Sequence, residues 1–189
     1  MATPVNKNGQ TLKMQVALLT DIGEALFVSY PNASQFDDSK MEASIRVTEA
    51  QKDAFVAKLE PFIQASCDAL KVDRSKIELP VKPSHDKEGS PDGKWIIKSK
   101  TGIEYKPRVF NAANVEIHPD SIANGSTIRL KVSAAFTNSP KFKGISLRLG
   151  GIQVIQAREF DSGFDVVEGY DNTASTSGFE SSSTNEAWD

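Results

Sequence analysis

Two long alternating stretches constrain this chain more than any other feature of its sequence. Residues 127–136 (TIRLKVSAAF) place Ile128, Leu130, Val132 and Ala134 on one face and Thr127, Arg129, Lys131 and Ser133 on the other. After a loop at 137–143, residues 144–156 (GISLRLGGIQVIQ) repeat the pattern, with Ile145, Leu147 and Leu149 opposed to Ser146 and Arg148. A period of two is the mark of a strand with one buried face. Gly150-Gly151 interrupts the second strand, where a bulge or bend lets it curve to close a barrel.

The rest of the body adds short strands and one helix. Residues 25–30 (ALFVSY) form an apolar run stopped by Pro31, and 41–47 (MEASIRV) roughly alternate. Thr48 can cap the helix that follows, with Gln51 in the capping-box position. Phe55, Leu59, Phe62, Ile63, Cys67 and Leu70 make its apolar face, which reads Cys67 as a small buried hydrophobe. Pro61 is expected to kink or divide this helix. Residues 71–93 read as a long connection, with a short strand at 76–81 and a mobile surface loop at 82–93. Residues 94–100 and 103–110 read as a β-hairpin turning at Thr101-Gly102, and Asn124-Gly125 marks another turn. Short curved strands around one helix predict a mainly β chain: an OB-fold, a closed or partly open five-stranded barrel with one inserted helix.

Charge divides the chain in two. All 22 Lys and Arg lie at or before Arg158, against 17 acids there, so residues 1–158 carry +5. The remaining eight acids give residues 159–189 a charge of −8. We therefore expect a domain at 1–158 and a disordered acidic tail at 159–189, whose Ser-, Thr- and Gly-rich sequence cannot bury enough apolar surface to fold. The tail ends Glu186-Ala187-Trp188-Asp189, a ring among carboxylates suited to a pocket with a basic rim. One cysteine excludes a disulfide framework and a cysteine-based zinc site. No apolar run is long enough to span a membrane, and residues 1–10 lack the apolar core of a secretory signal, so a soluble intracellular protein is expected.

Chemical motifs are absent. His85 and His118 stand apart in a loop and a turn, and HExxH, P-loop and GxSxG patterns do not occur. Neither an enzyme nor a cofactor or metal site is expected. Basic residues instead interleave with aromatics: Trp95, Lys98, Lys100, Tyr105, Lys106, Arg108 and Phe110, then Arg129, Lys131, Phe136, Lys141, Phe142, Lys143 and Arg148. A basic groove that tracks phosphates, with rings that stack on bases, is how single strands are held. Trp95 and Phe110 have core positions as their alternative.

The strand GSTIRLKVSAAF from Gly125, the strand GISLRLGGIQVIQ from Gly144 and the acidic tail ending EAWD occur in that order. MEASIRV, the helix at 48–70, WIIKSK and VFNAANVEI precede them. The ordered set resembles the single-stranded DNA-binding proteins of short-tailed bacteriophages, in organisation over about residues 25–189 and in residues over about 94–156. The resemblance implies an OB-fold with a helix packed on the barrel. It implies sequence-nonspecific binding of single-stranded DNA in replication, recombination and repair, with strand annealing, in the cytoplasm of an infected bacterial host. It places DNA-contacting lysines at Lys98 and Lys131, a further basic contact at Lys40, and a base-stacking aromatic at Phe136. It also implies that the tail, through Glu180, Glu186, Trp188 and Asp189, docks on the phage polymerase and primase-helicase and competes with DNA. A family tail ends in phenylalanine, whereas here Trp188 is followed by Asp189. A homodimer stays open, because contacts through a tail leave no periodic signature. An RNA-binding OB-fold protein, or an assembly protein using its acidic tail, are the alternative readings.

Overall fold

A computed structural model describes residues 2–4, 11–119 and 122–158. The expected tail, with Glu180, Glu186, Trp188 and Asp189, lies outside the described residues. The strands are β1 (Ala2–Pro4), β2 (Thr11–Met14), β3 (Leu18–Leu19), β4 (Gly23–Leu26), β5 (Lys40–Val47), β6 (Val81–His85), β7 (Pro91–Gly102), β8 (Arg108–Phe110), β9 (Thr127–Asn138) and β10 (Lys143–Gln156). Among the described residues one α-helix, α1 (Glu49–Leu70), follows β5, with a short 3-10 turn at Arg74–Lys76 after it.

Five of these strands close a ring. β9 pairs β4, β4 pairs β5, β5 pairs β7, β7 pairs β10, and β10 returns to β9. Every pairing in the ring is antiparallel except β7 with β10. This is an OB-fold-like arrangement, mainly β with one inserted helix. The ring works because the alternating residues turn one row inward: Ile128, Leu130, Val132 and Ala134 from β9 meet Ile145, Leu147 and Leu149 from β10 and Met41, Ala43, Ile45 and Val47 from β5, all buried. Burying each large side chain contributes about 1.5–3 kcal/mol relative to leaving it exposed.

Gly150-Gly151 acts as expected: the β9–β10 register shifts between Leu149 and Gly151. A bulge raises the local twist. Across it, β10 changes neighbour, from β7 at Arg148 opposite Lys100 to β8 at Gly151 opposite Arg108. Gly23 meets a different demand. A Cβ there would lie 2.7 Å from the Arg46 carbonyl oxygen, so only glycine lets β4 lie this close to β5.

Helix α1 starts at the predicted cap. The Thr48 hydroxyl accepts from the Gln51 N–H and the Gln51 side chain accepts from the Thr48 N–H. Such caps contribute about 1 kcal/mol. Phe55, Leu59, Phe62, Ile63 and Cys67 are buried on one face, and burial pushes the Cys67 thiol up. Pro61 neither divides nor ends the helix. It sits on the exposed face of the helix.

Two other expectations are corrected. Residues 82–93 are not a loop: β6 and the start of β7 form a hairpin around a short turn held by Asp86, whose carboxylate accepts from the Glu88 and Ser90 N–H groups. Residues 94–100 and 103–110 do not form a hairpin either. β7 takes β5 and β6 as antiparallel partners, and β8 pairs parallel with β10. Local alternation gives a strand, but its partner is chosen by which edge the closing ring leaves open. Sequence reading also missed β2 and β3, which pair with β9.

Candidate nucleic-acid interface

The outward row of the ring carries the basic residues. On β7, Ile97, Ser99 and Thr101 are buried, which sends Lys98 and Lys100 out. Lys100 stands opposite Arg148 on β10, and Arg148 opposite Ser133 on β9. Along β9 the same row continues to Lys131, opposite Gly151, and Arg129, opposite Gln153. Neighbouring strands lie about 4.8 Å apart, so these cations form one band across β7, β10 and β9.

Beside the band runs a groove of about 810 Å³. Arg129 and Lys131 line it from β9, Lys106 and Arg108 from the segment before and within β8, and Gly150-Gly151 from β10. The absence of a side chain at Gly150, which is exposed, leaves the strand backbone open there between the cationic walls, while Gly151 is buried against Arg108 and Lys131. Leu19 of β3 and Phe110 complete the walls. A smaller depression lined by Tyr105, Lys106, Arg148 and Gly150 adjoins it through the shared Lys106 and Gly150.

Tyr105 is the aromatic presented beside the groove. Its ring lies over the Arg148 guanidinium at 3.9 Å, and the residue remains 52% exposed. A cation beneath one face leaves ring surface for a stacked partner. Arg129 is oriented by Gln153, whose side-chain oxygen accepts from its Nε at 2.8 Å, while the Gln153 amide donates to the Asn111 carbonyl. No ion pair is found for Lys131 or Arg148 among the described residues, so both keep their full charge for a ligand.

Lys98 and Lys100 differ. Both approach the Glu42 carboxylate of β5, at 3.7 and 3.1 Å from Oε2. The carboxylate is only 4% exposed. Neither lysine is directed at Oε2 as a hydrogen bond, and that oxygen has no hydrogen-bond partner. Lys40 shares the outward row of β5, opposite Gly102 and half-buried.

Several predicted residues fall elsewhere. Phe136 is wholly buried, in the inward row of β9, so it belongs to the core and presents no face to a base. Trp95 shares the inward row of β7, packs against the core, and is covered by the Lys52 ammonium of α1 at 4.2 Å from its ring. Lys141, Phe142 and Lys143 sit at the β9–β10 turn. Lys143 precedes Gly150 by seven residues, roughly 23 Å of strand, so the turn is not part of the groove. Phe142 is half-buried, and its ring would lie 2.8 Å from a Cβ at Gly144. Glu42, Gln153 and Leu19 were missed. Glu42 had a signal, since MEASIRV puts it in the polar row; the two-residue β3 had none.

The ring order and its single parallel pairing define a class: a closed five-stranded OB-type fold with a basic outer face. Comparison with solved structures shows that this is the fold of bacteriophage single-stranded DNA-binding proteins. The chain is similar to gp2.5, a single-stranded DNA-binding protein encoded by bacteriophage T7, at 13% identity and a TM-score of 0.53, covering 84% of this chain and 97% of that one. It is similar to the single-stranded DNA-binding protein of bacteriophage Enc34 at 16% identity and a TM-score of 0.59, covering 90% and 99%. The Enc34 protein in complex with single-stranded DNA matches at 15% identity and a TM-score of 0.60, covering 84% and 97%. No family model and no curated protein matches the sequence.

Proposed function

We propose that this chain binds single-stranded DNA without sequence specificity, as a non-enzymatic protein of phage DNA replication, recombination and repair acting in the host cytoplasm. The observation that carries this reading is the unbroken cationic band and groove, with Tyr105 exposed above Arg148, on the outer face of an OB-type ring. Phosphates meet Arg129, Lys131, Arg148, Lys106 and Arg108, and bases stack on Tyr105. Binding releases counterions and weakens steeply with salt. The fold it shares with the Enc34 protein, which has been obtained in complex with single-stranded DNA, supports the same assignment.

The −8 segment at 159–189 has the opposite charge to this face. In our reading it competes with DNA for the groove and, once displaced, recruits the replication polymerase and primase-helicase through Glu180, Glu186, Trp188 and Asp189. Annealing follows when two coated strands have their charge reduced enough to meet. The test is fluorescence anisotropy of a labelled oligo(dT), titrated with full-length protein and with residues 1–158 at two salt concentrations. Salt-sensitive binding, tighter without the tail, is expected. No binding by either form at low salt would end the DNA reading, and equal affinity of the two forms would end the competition.

A further inference from the structure

The loop between β4 and β5, residues 27–39, carries two of the most exposed large apolar side chains among the described residues, Phe27 at 55% and Phe36 at 78%. Both line one cavity of about 380 Å³, whose wall also includes Val28, Ser29 and Glu42. The loop is held in this shape. Phe27 has φ of +50°, a left-handed conformation that non-glycine residues rarely adopt. The next N–H, of Val28, is fixed by the Asn124 side chain at 3.0 Å. Phe36 rides a tight turn in which Ser34 and Asp37 bridge and the Ser34 N–H donates to the Lys40 carbonyl at 2.7 Å.

The cavity shares one wall residue with the basic band. Glu42 belongs to both, as wall of the cavity and as the buried carboxylate between Lys98 and Lys100. The Asp37 carboxyl is held low, first by the Ser39 hydroxyl that donates to it, with Lys40 and Lys100 adding their charge. Lys40, Lys98 and Lys100 therefore stand beside a recess walled by two exposed rings and by polar side chains, among them Asn32, Gln35 and Asn124. That juxtaposition matches one occupant: a nucleotide whose phosphate meets Lys40, Lys98 or Lys100 while its unstacked base enters between the phenylalanines.

We propose that Phe27 and Phe36 form a nucleobase subsite, distinct from Tyr105 and the glycine-floored groove, which extends the path of the single strand over β7 onto the β4–β5 loop. This rests on the single-stranded DNA reading above. Stacking removes no charge and adds affinity, so the subsite strengthens binding without steepening its salt dependence.

The experiment uses the full chain with Phe27→Ala, Phe36→Ala and both together, titrated into labelled oligo(dT) over a salt series, with thermal unfolding as the check on folding. Loss of a stacked base is expected to weaken binding by roughly 5- to 150-fold in the double variant, at an unchanged salt slope. Phe36→Trp should keep wild-type affinity, and its indole fluorescence should be quenched by DNA. Wild-type binding that is salt-dependent but unaffected in the double variant would overturn the subsite alone. Unchanged DNA affinity with altered self-association would assign the two rings to a second copy of the chain instead. Absence of wild-type binding would take down both this subsite and the reading beneath it.

Discussion

Lys131→Gln isolates what one cation of the band contributes. Lys131 is exposed, lines the groove opposite Gly151 and has no ion pair among the described residues, so its whole charge faces the ligand. On a single strand each neutralised phosphate adds about 0.7 to the slope of log affinity against log salt. Removing one contact should lower that slope by about 0.7, which at 0.1 M salt is roughly a fivefold loss of affinity. Adding Arg148→Gln should lower the slope by about 1.4 and weaken binding by more than about 25-fold, since Tyr105 then also loses the guanidinium beneath its ring. Lys58→Gln, on the exposed surface of α1, is the matched control for net charge. The assay is anisotropy of a labelled oligo(dT) at salt concentrations from about 50 to 200 mM, the range in which such slopes are read. If Lys58→Gln and Lys131→Gln shift the slope equally, net charge rather than the band holds the DNA. If Lys131→Gln leaves it unchanged, the groove is not the phosphate path.

Phe136→Ala tests core against interface. A fully buried phenylalanine should cost about 3–5 kcal/mol in urea unfolding when truncated, whereas normal stability with lost DNA affinity would return Phe136 to the surface role. Acid dependence follows from Glu60, whose carboxyl is held below the ordinary range chiefly by the two hydrogen bonds it accepts from Arg74, both 2.8 Å. A folded-state pKa below the unfolded one gives stability that is present above the ordinary carboxylate pKa and lost as pH falls through the folded value. Glu60→Gln should therefore be less stable than wild type near pH 7, by an amount that shrinks as pH falls below about 4; a gap that does not shrink would assign the loss to shape rather than charge. Both groups are partly exposed, so the effect is reduced by solvent screening.

Much of this was set by local rules. The rows of β9 and β10 alternate as the sequence does, because side chains on a strand point to opposite faces whatever its neighbours are. The capping box of Thr48 and Gln51 forms within four residues, and the Gly150-Gly151 bulge needs only the absence of side chains. Lys98, Lys100, Arg129, Lys131 and Arg148 could be read as outward for the same reason. Period alone could not say what a buried row packs against, so Phe136 could be taken for a ligand-facing ring when the closed ring of strands puts it in the core. Nor could it pair β8 with β10, place Trp95 under Lys52, or show one carboxylate, Glu42, shared by two lysines from another strand. Those contacts join residues dozens of positions apart, and they exist only once the ring has closed. Which side chains the chain turns outward was determined by its sequence; which of them meet was decided by the tertiary structure, because pairing depends on the edges and volume that closure leaves.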